Sequence, residues 1–492
     1  MFDKKKTTLG GDVVRLTSSK VITLCITMLT GMMLARFRTI EEYGVYNELL
    51  LVVSLTTSLL MLGLPNSINY FLARAEDQTE RRRFLSVYYT LSTILSTVIG
   101  VVLVLAIPLI EAYFHNEEIR FFAFFLAIYP WTVIITSSVE NVLVVYQRTR
   151  FLMLFRLVSS VLLMLTVLVI QWCGLGFSAY LYALTAVSAV LAFSVYFITS
   201  RLCEGLRFSW DKALIRQVFI FSIPMGLGAV VGTLNTEIDK LLIGYLMDTE
   251  QMGIYTNAAK ELPLTVVATS ITAVLLPRMT RMIKYDKKRE AIRLWKTAVE
   301  LALIVIALAV AGLVTYAEEV VTILSSSKYL PGVPVFRVYS LNLLLRCTYF
   351  GIVLQGFGET KKILQCSILS LILNVILNPL FYYVFGMIGP AIATFLAILL
   401  ILLLQLHMSS KVTGISFAEI FPWKKAGVIL LINAAFGFVF WWIKHLLPLE
   451  AYITDVGESL LLGALWSAAY LWFMKERIRS AWNSLNREEE SV

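Results

Sequence analysis

The sequence predicts an all-α, polytopic membrane protein of about fourteen transmembrane helices. Charge content, the length of the apolar runs and the placement of basic residues carry that prediction. Charged residues make up 15% of the 492-residue chain and hydrophobic ones 58%, whereas a soluble domain carries roughly a quarter of its residues as charged. Apolar runs of about 20 residues recur along the whole length, each able to cross roughly 30 Å of hydrocarbon at about 1.5 Å per residue. Unpaired backbone groups are costly in lipid, so such runs are helices or closed-barrel strands. They are too long and continuous for barrel strands, which alternate over about ten residues.

In order, the spans cover residues 13–35, 44–72, 84–110, 121–146, 151–172, 177–199, 218–247, 253–276, 294–316, 333–357, 363–385, 388–407, 426–446 and 460–474. Lys4, Lys5 and Lys6 before the first run resemble the start of a signal peptide. No cleavage context follows, so the run reads as a retained first span. Only Gly386 and a short turn split 363–385 from 388–407. Five scattered cysteines without a CxxC pair, and three distant histidines, indicate no disulfide framework, no metal site and no cofactor. No catalytic signature and no loop long enough for a soluble catalytic domain is present, which argues against an enzyme such as a membrane-embedded glycosyltransferase or polymerase.

The net charge of +9 needs no nucleic acid to explain it. With the N-terminus inside, alternate connections hold Arg74 and Arg81 to Arg83, then Arg148 and Arg150, then Arg201, Arg207, Lys212 and Arg216, then Arg278 through Lys296. The opposite loops carry mainly acids, among them Glu117, Glu118, Asp248, Glu250, Glu318 and Glu319. This bias predicts that both termini are cytoplasmic, in a cell inner or plasma membrane.

An internal repeat divides the chain. The stretch from Leu34 through Gly44 and Tyr46 reappears 209 residues later around Glu250, Gly253, Tyr255 and Asn257. Pro65 matches Pro277, Gln147 matches Gln355, and Gly174 with Gly176 matches Gly386 with Gly389. Two parallel six-helix halves follow, 1–207 and 208–411, with two additional helices in 412–474 and a charged tail at 475–492. Such halves rock around a shared cavity in transporters.

Three segments carry a family resemblance: LARFRTIEEYGVYNELLLV, FSIPMGLGAVVGTLNTEIDKLLIGYLMDTEQMGIYTNAAKELP and NVILNPLFYYVFGMIGPAIAT. The chain resembles the multidrug/oligosaccharidyl-lipid/polysaccharide exporters, and most of all the lipid-linked oligosaccharide flippases. The resemblance implies transfer of an undecaprenyl-diphosphate-linked glycan to the outer leaflet for surface polysaccharide assembly. It also implies membrane lipid, a polysaccharide polymerase and glycosyltransferases as partners. A lipid II-type flippase and a cation-coupled multidrug exporter on the same fold stay open as alternatives. The last two helices are as compatible with holding the lipid tail as with simple packing.

Ionisable residues inside spans are the functional candidates under this reading. Arg346 falls about a dozen residues, or ~18 Å, from either end of its span, and is a candidate for gripping diphosphate. Lys260 and Arg36 are further substrate candidates, although Arg36 and Lys20 also fit interfacial anchoring. Asn374 and Asn378, four apart, place two amides on one helix face, for sugar contact or for interhelical hydrogen bonds. Glu237 and Lys240 can pair on one face and leave Asp239 on another. These three, with Glu140, are the coupling or gating candidates, and Arg156 is a plausible partner for Glu140. Pro65, Pro130, Pro224, Pro263 and Pro277 are candidate bend points.

Overall fold

The structure is a computed structural model and describes residues 9–260, 262, 264–446 and 452–490. Its described residues form helices and connecting turns, with no strand. Ten helical stretches are long and apolar enough to cross a membrane. One of them, Thr360–Thr413, comprises two helices joined at Gly386. The protein is a multi-pass helical membrane protein.

The chain forms two compact units, Met1–Gly253 and Ile254–Val492. The first opens with α1 (Leu9–Phe37), α2 (Ile40–Met61) and α3 (Leu64–Arg74). Next come α4 (Gln78–Leu105), α5 (Ile107–Phe114), a short 3-10 turn (Glu117–Phe122) and α6 (Ala123–Val145). It then runs through α7 (Thr149–Trp172), α8 (Phe177–Leu202) and α9 (Lys212–Leu246) into the start of α10 (Thr249–Ala258). Thr39 and Glu42 close a capping box at the head of α2. Asp211 caps α9 and also accepts from Nε of Arg83 at 2.9 Å. The Arg83 hydrogen bond, foremost among its contacts, holds the Asp211 carboxyl below its ordinary range.

The second unit contains α11 (Thr265–Lys284), α12 (Lys288–Thr315), α13 (Ala317–Leu324), a 3-10 turn (Ser327–Gly332) and α14 (Val333–Leu345). After them come α15 (Ile352–Gly356), α16 (Thr360–Phe385), a turn at Gly386–Ile388 and α17 (Gly389–Thr413). The unit ends with α18 (Phe417–Ile420), α19 (Trp423–Leu446) and α20 (Tyr452–Glu490). Its core gathers Trp295, Val299 and Leu303 of α12 with Met279, Ile429, Trp466 and Tyr470.

Several expected single spans are broken. The 44–72 stretch divides at Leu62 and Gly63, both with positive φ (42° and 72°). The 84–110 stretch breaks at Ala106, before Pro108, and 253–276 falls into α10 and α11. Hydropathy stays high through the first two breaks, so apolar content alone does not report them, whereas the third is marked in the sequence by Lys260, Glu261 and Pro263. The last helix is longer than 460–474 and continues through the expected tail to Glu490. Pro130, Pro224 and Pro277 sit inside helices, Pro65 begins α3, and Pro263 lies outside the described residues.

Both units use the same local plan. In each, a long helix (α4 or α12) leads through a short helix and a 3-10 turn into the next (α6 or α14). Gly174 and Gly386, matched in the repeat, turn the chain with φ of 65° and 64°. Only glycine takes such angles without steric cost.

Candidate functional site

The second unit brings two predicted cations together. Helix α14 stops at Leu345, and Arg346 takes its C-cap position with φ −109° and ψ 18°. Arg346 therefore does not lie in the middle of one continuous helix, as the sequence suggests, but at a helix end between α14 and α15. The apolar, buried Cys347, Phe350 and Ile352 around the break conceal it from a hydropathy reading. A helix C-terminus presents unpaired carbonyls with partial negative charge, which a guanidinium stabilises.

Arg346 and Lys260 line one narrow cavity with Tyr339, Ser340 and Asn342. Buried there without a hydrogen-bond partner among the described residues are the Ser340 hydroxyl and the Asn342 amide oxygen. The cavity measures about 20 Å³, room for roughly one water. It is closed to anything as large as a diphosphate in this conformation. Glu261, next to Lys260, lies outside the described residues.

Asn374 and Asn378 are buried in α16 and do not line that cavity. Asn374 donates to the Ser370 carbonyl at 3.1 Å and accepts from Thr394 of α17 at 3.4 Å. Neither polar atom of the Asn378 side chain has a hydrogen-bond partner among the described residues.

In the first unit Lys240 donates to Glu237 at 2.8 Å, one turn apart on α9. Asp239 is buried on another side of that helix, where its carboxylate accepts from the Lys240 backbone N–H at 2.9 Å. Arg156 of α7 pairs with Glu140 of α6. Arg36 stands exposed in the last turn of α1, and Lys20 is exposed on the same helix. The arrangement thus separates paired carboxylates in the first unit from a cation-lined cavity in the second.

Sequence reasoning passed over Glu48. It is the buried carboxyl of α2, 1% exposed, and accepts from Nδ2 of Asn116 at 2.8 Å. Its place inside an apolar span is the signal that would have found it. Glu300 was missed likewise and pairs with Lys425 of α19, while Glu319, read as a loop acid, is buried in α13 and pairs with Lys444 of α19.

Residues 33–334 match the family described as polysaccharide biosynthesis protein. The chain belongs to this family. It is 20% identical over 283 residues to the probable low-salt glycan biosynthesis flippase Agl15 of Haloferax volcanii, covering 55% of this chain and 59% of that protein. It is 24% identical over 289 residues to the teichuronic acid biosynthesis protein TuaB of Bacillus subtilis, covering 56% of each. The match thus spans little more than half the length of these curated relatives. Among solved structures, lipid II flippase MurJ in an inward closed conformation superposes with a TM-score of 0.71 at 16% identity, covering 94% of this chain and all of that one. An inward-facing multidrug resistance MATE family transporter of the MOP superfamily gives 0.62 at 17% identity, covering 82% of this chain and 99% of that one. At these identities the structural likeness is one of fold. The family match thus shows a polysaccharide biosynthesis protein, and the structural likeness shows a fold shared with the lipid II flippase and MATE transporter structures.

Proposed function

We propose that the chain flips an isoprenyl-diphosphate-linked oligosaccharide from the cytoplasmic to the outer leaflet for surface polysaccharide assembly. The convergence of Arg346 and Lys260 on one cavity carries this reading, because none of the described residues lining it is acidic. A guanidinium offers a planar pair of donors to a phosphate, and a lysine adds a compact charge beside it. The unpartnered Ser340 and Asn342 groups supply further polar contacts once the cavity opens. The diphosphate and sugars then travel in a hydrated path while the isoprenyl tail stays in lipid. Rocking of two lobes opens and closes that path. A relative named a glycan biosynthesis flippase supports the same reading.

In this scheme the chain crosses the membrane fourteen times, as parallel lobes 1–207 and 208–411 and a helix pair in 412–474, with both termini cytoplasmic. Asn374, Asn378 and Arg36 contribute polar contacts to the glycan. Asp239, Glu237, Lys240 and Glu140 serve coupling or gating. Glycosyltransferases build the substrate and a polymerase consumes it. A cation-coupled drug exporter would instead need carboxylates around the cavity and Arg346 turned away from it, whereas Arg346 forms part of the wall.

Arg346→Ala removes a charge-assisted pair of about 1.5–3 kcal/mol, so glycan export should fall roughly 10- to 100-fold. Arg346→Lys, which keeps the charge without the fork, should fall in between. Surface glycan and membrane-inserted protein are measured in the same cells. Normal glycan from the alanine variant would sink the assignment of Arg346.

A further inference from the structure

The two units carry one buried hydrogen bond in duplicate. In the first, Nδ2 of Asn116, between α5 and the 3-10 turn, donates to Oε2 of Glu48 at 2.8 Å. In the second, Oγ of Ser325, at the equivalent junction after α13, donates to Oδ1 of Asn257 at 2.7 Å. Each pair is separated by 68 residues, and the members correspond at the 209-residue offset of the repeat. The junction residue donates and the helix residue accepts in both. An uncharged amide oxygen fills the acceptor role in the second unit. The first unit places a carboxyl there, so holding the junction does not require an acid.

The surroundings of Glu48 treat it as a neutral group. It is 1% exposed, and among the described residues it has no ion-pair partner. The Thr249 side chain faces the carboxyl. Oε1 nevertheless has no hydrogen-bond partner among the described residues. A buried charge held by so few donors costs several kcal/mol, about as much as a proton transfer needs to be favoured. Asn116 and Thr249 also line a cavity of about 690 Å³, together with His115, Glu41, Asp248 and Glu250. One side of the Glu48 hydrogen bond is therefore in contact with an acidic vestibule.

We infer that Glu48 is a proton-binding site of the first unit, loaded and emptied through the vestibule by way of Asn116 and Thr249. In the conformation seen here the carboxyl holds its proton and substitutes for the amide that its repeat mate uses. Loss of the proton to vestibule water leaves a carboxylate that this pocket cannot keep, and the junction between α2 and the 3-10 turn must open to hydrate it. The charged groups around it add no cation in contact. The turn brings Glu117, Glu118 and Arg120, with Arg120 already paired to Glu111 and Glu117. The head of α10 and the residue before it bring Glu250 and Asp248, α9 the closed Glu237–Lys240 pair and the buried Asp239, and α6 Glu140 with its own partner Arg156. Between Phe84 and Leu105, α4 has no charged residue; α1 has Arg36 in its last turn, and the buried Arg38 between α1 and α2 donates to the Leu175 carbonyl. The proposed coupling to transport rests on the flippase reading, but proton binding does not.

The test uses the full-length protein in lipid nanodiscs. Infrared difference spectra across a pH step read protonated carboxyl groups, and a pH electrode counts protons released. Glu48→Gln should melt at the wild-type temperature, lose one carboxylic C=O band and release about one proton fewer per chain. An unchanged band and proton count would overturn the site. If Glu48→Gln does not fold, Glu48→Asp retains the acid and should shift the band, and an unshifted band again overturns the site. Glycan export is scored separately in cells. Loss of the band with no glycan export in the wild type defeats only the flippase reading, whereas an unchanged band with normal export defeats only the proton site.

Discussion

Glu300 and Lys425 meet at 2.5 Å, but water reaches them very unequally: the carboxylate side chain is 8% exposed and the ammonium side chain 63%. Removing the lysine strands a buried charge, while removing both charges leaves an uncharged contact. Lys425→Met should therefore destabilise the second unit by about 1–2 kcal/mol, discounted from a fully buried pair because solvent screens the lysine. Glu300→Gln with Lys425→Met should recover most of that loss. Thermal melts of the two singles and the double give the coupling, and a double variant no more stable than Lys425→Met would refute the account. The same residue scale shows what local sequence could not reveal. Lys444 is legible as a charge near the end of an apolar run, but its partner Glu319 belongs to α13, read from the sequence as an acidic loop. Glu300 and Lys425 are 125 residues apart, so no helical period links them. Glu237 and Lys240 were legible because their spacing of three residues brings them together on one turn.

At the scale of elements, glycines decide where helices cross. A Cβ on Gly44 would come within 2.0 Å of the Thr249 carbonyl oxygen, and one on Gly253 within 2.6 Å of the Ile40 carbonyl oxygen. The head of α10 thus lies on the head of α2 with backbone against backbone, in a contact that no side chain can enter. Gly44→Ala requires the helices to part and should cost about 3 kcal/mol, at the upper end of overpacking because the obstacle is backbone. Gly228 and Gly232 of α9 have nothing within 4 Å of their Cβ positions. Alanine at Gly228 should be tolerated, or should stabilise α9 by about 0.5–1 kcal/mol through helix propensity. Detergent-solubilised variants compared by thermal melting separate these outcomes, and equal effects at Gly44 and Gly228 would discard the crossing. The repeat made Gly44 and Gly253 visible as matched positions, although it could not say that they approach each other. Helix breaks were less legible. The Leu62–Gly63 turn and the Arg346 cap are produced by backbone dihedrals inside apolar stretches, where composition stays constant while direction changes. That is why the helical class follows from hydropathy, while the cavity containing Lys260 and Arg346 required coordinates.

At the scale of the whole molecule, the open question of topology depends on where charge sits relative to the membrane. Charged residues are costly to move across hydrocarbon, so basic loops remain on the cytoplasmic side. The connection between α7 and α8, 173–176, carries no basic residue, whereas Arg148 sits at the N-cap of α7, Arg150 lies in its first turn and Arg201 lies in the last turn of α8. With both termini inside, five crossings place that connection outside. Cys173 lies in it and is exposed, next to Trp172, which suits the aromatic belt at an interface. Cys203, beyond the opposite end of α8, is buried. The native cysteines thus form a ready topological probe. A membrane-impermeant maleimide applied to intact cells should label the protein, and Cys173→Ser should remove that signal. Cys25 is also exposed but lies within α1, in a stretch apolar enough to span the membrane, where an impermeant reagent reacts slowly. Labelling of Cys173 only after the cells are permeabilised would reverse the orientation and place the basic loops outside. That result would also relocate the acidic vestibule around Asp248 and Glu250, so the side from which Glu48 takes its proton depends on the same measurement.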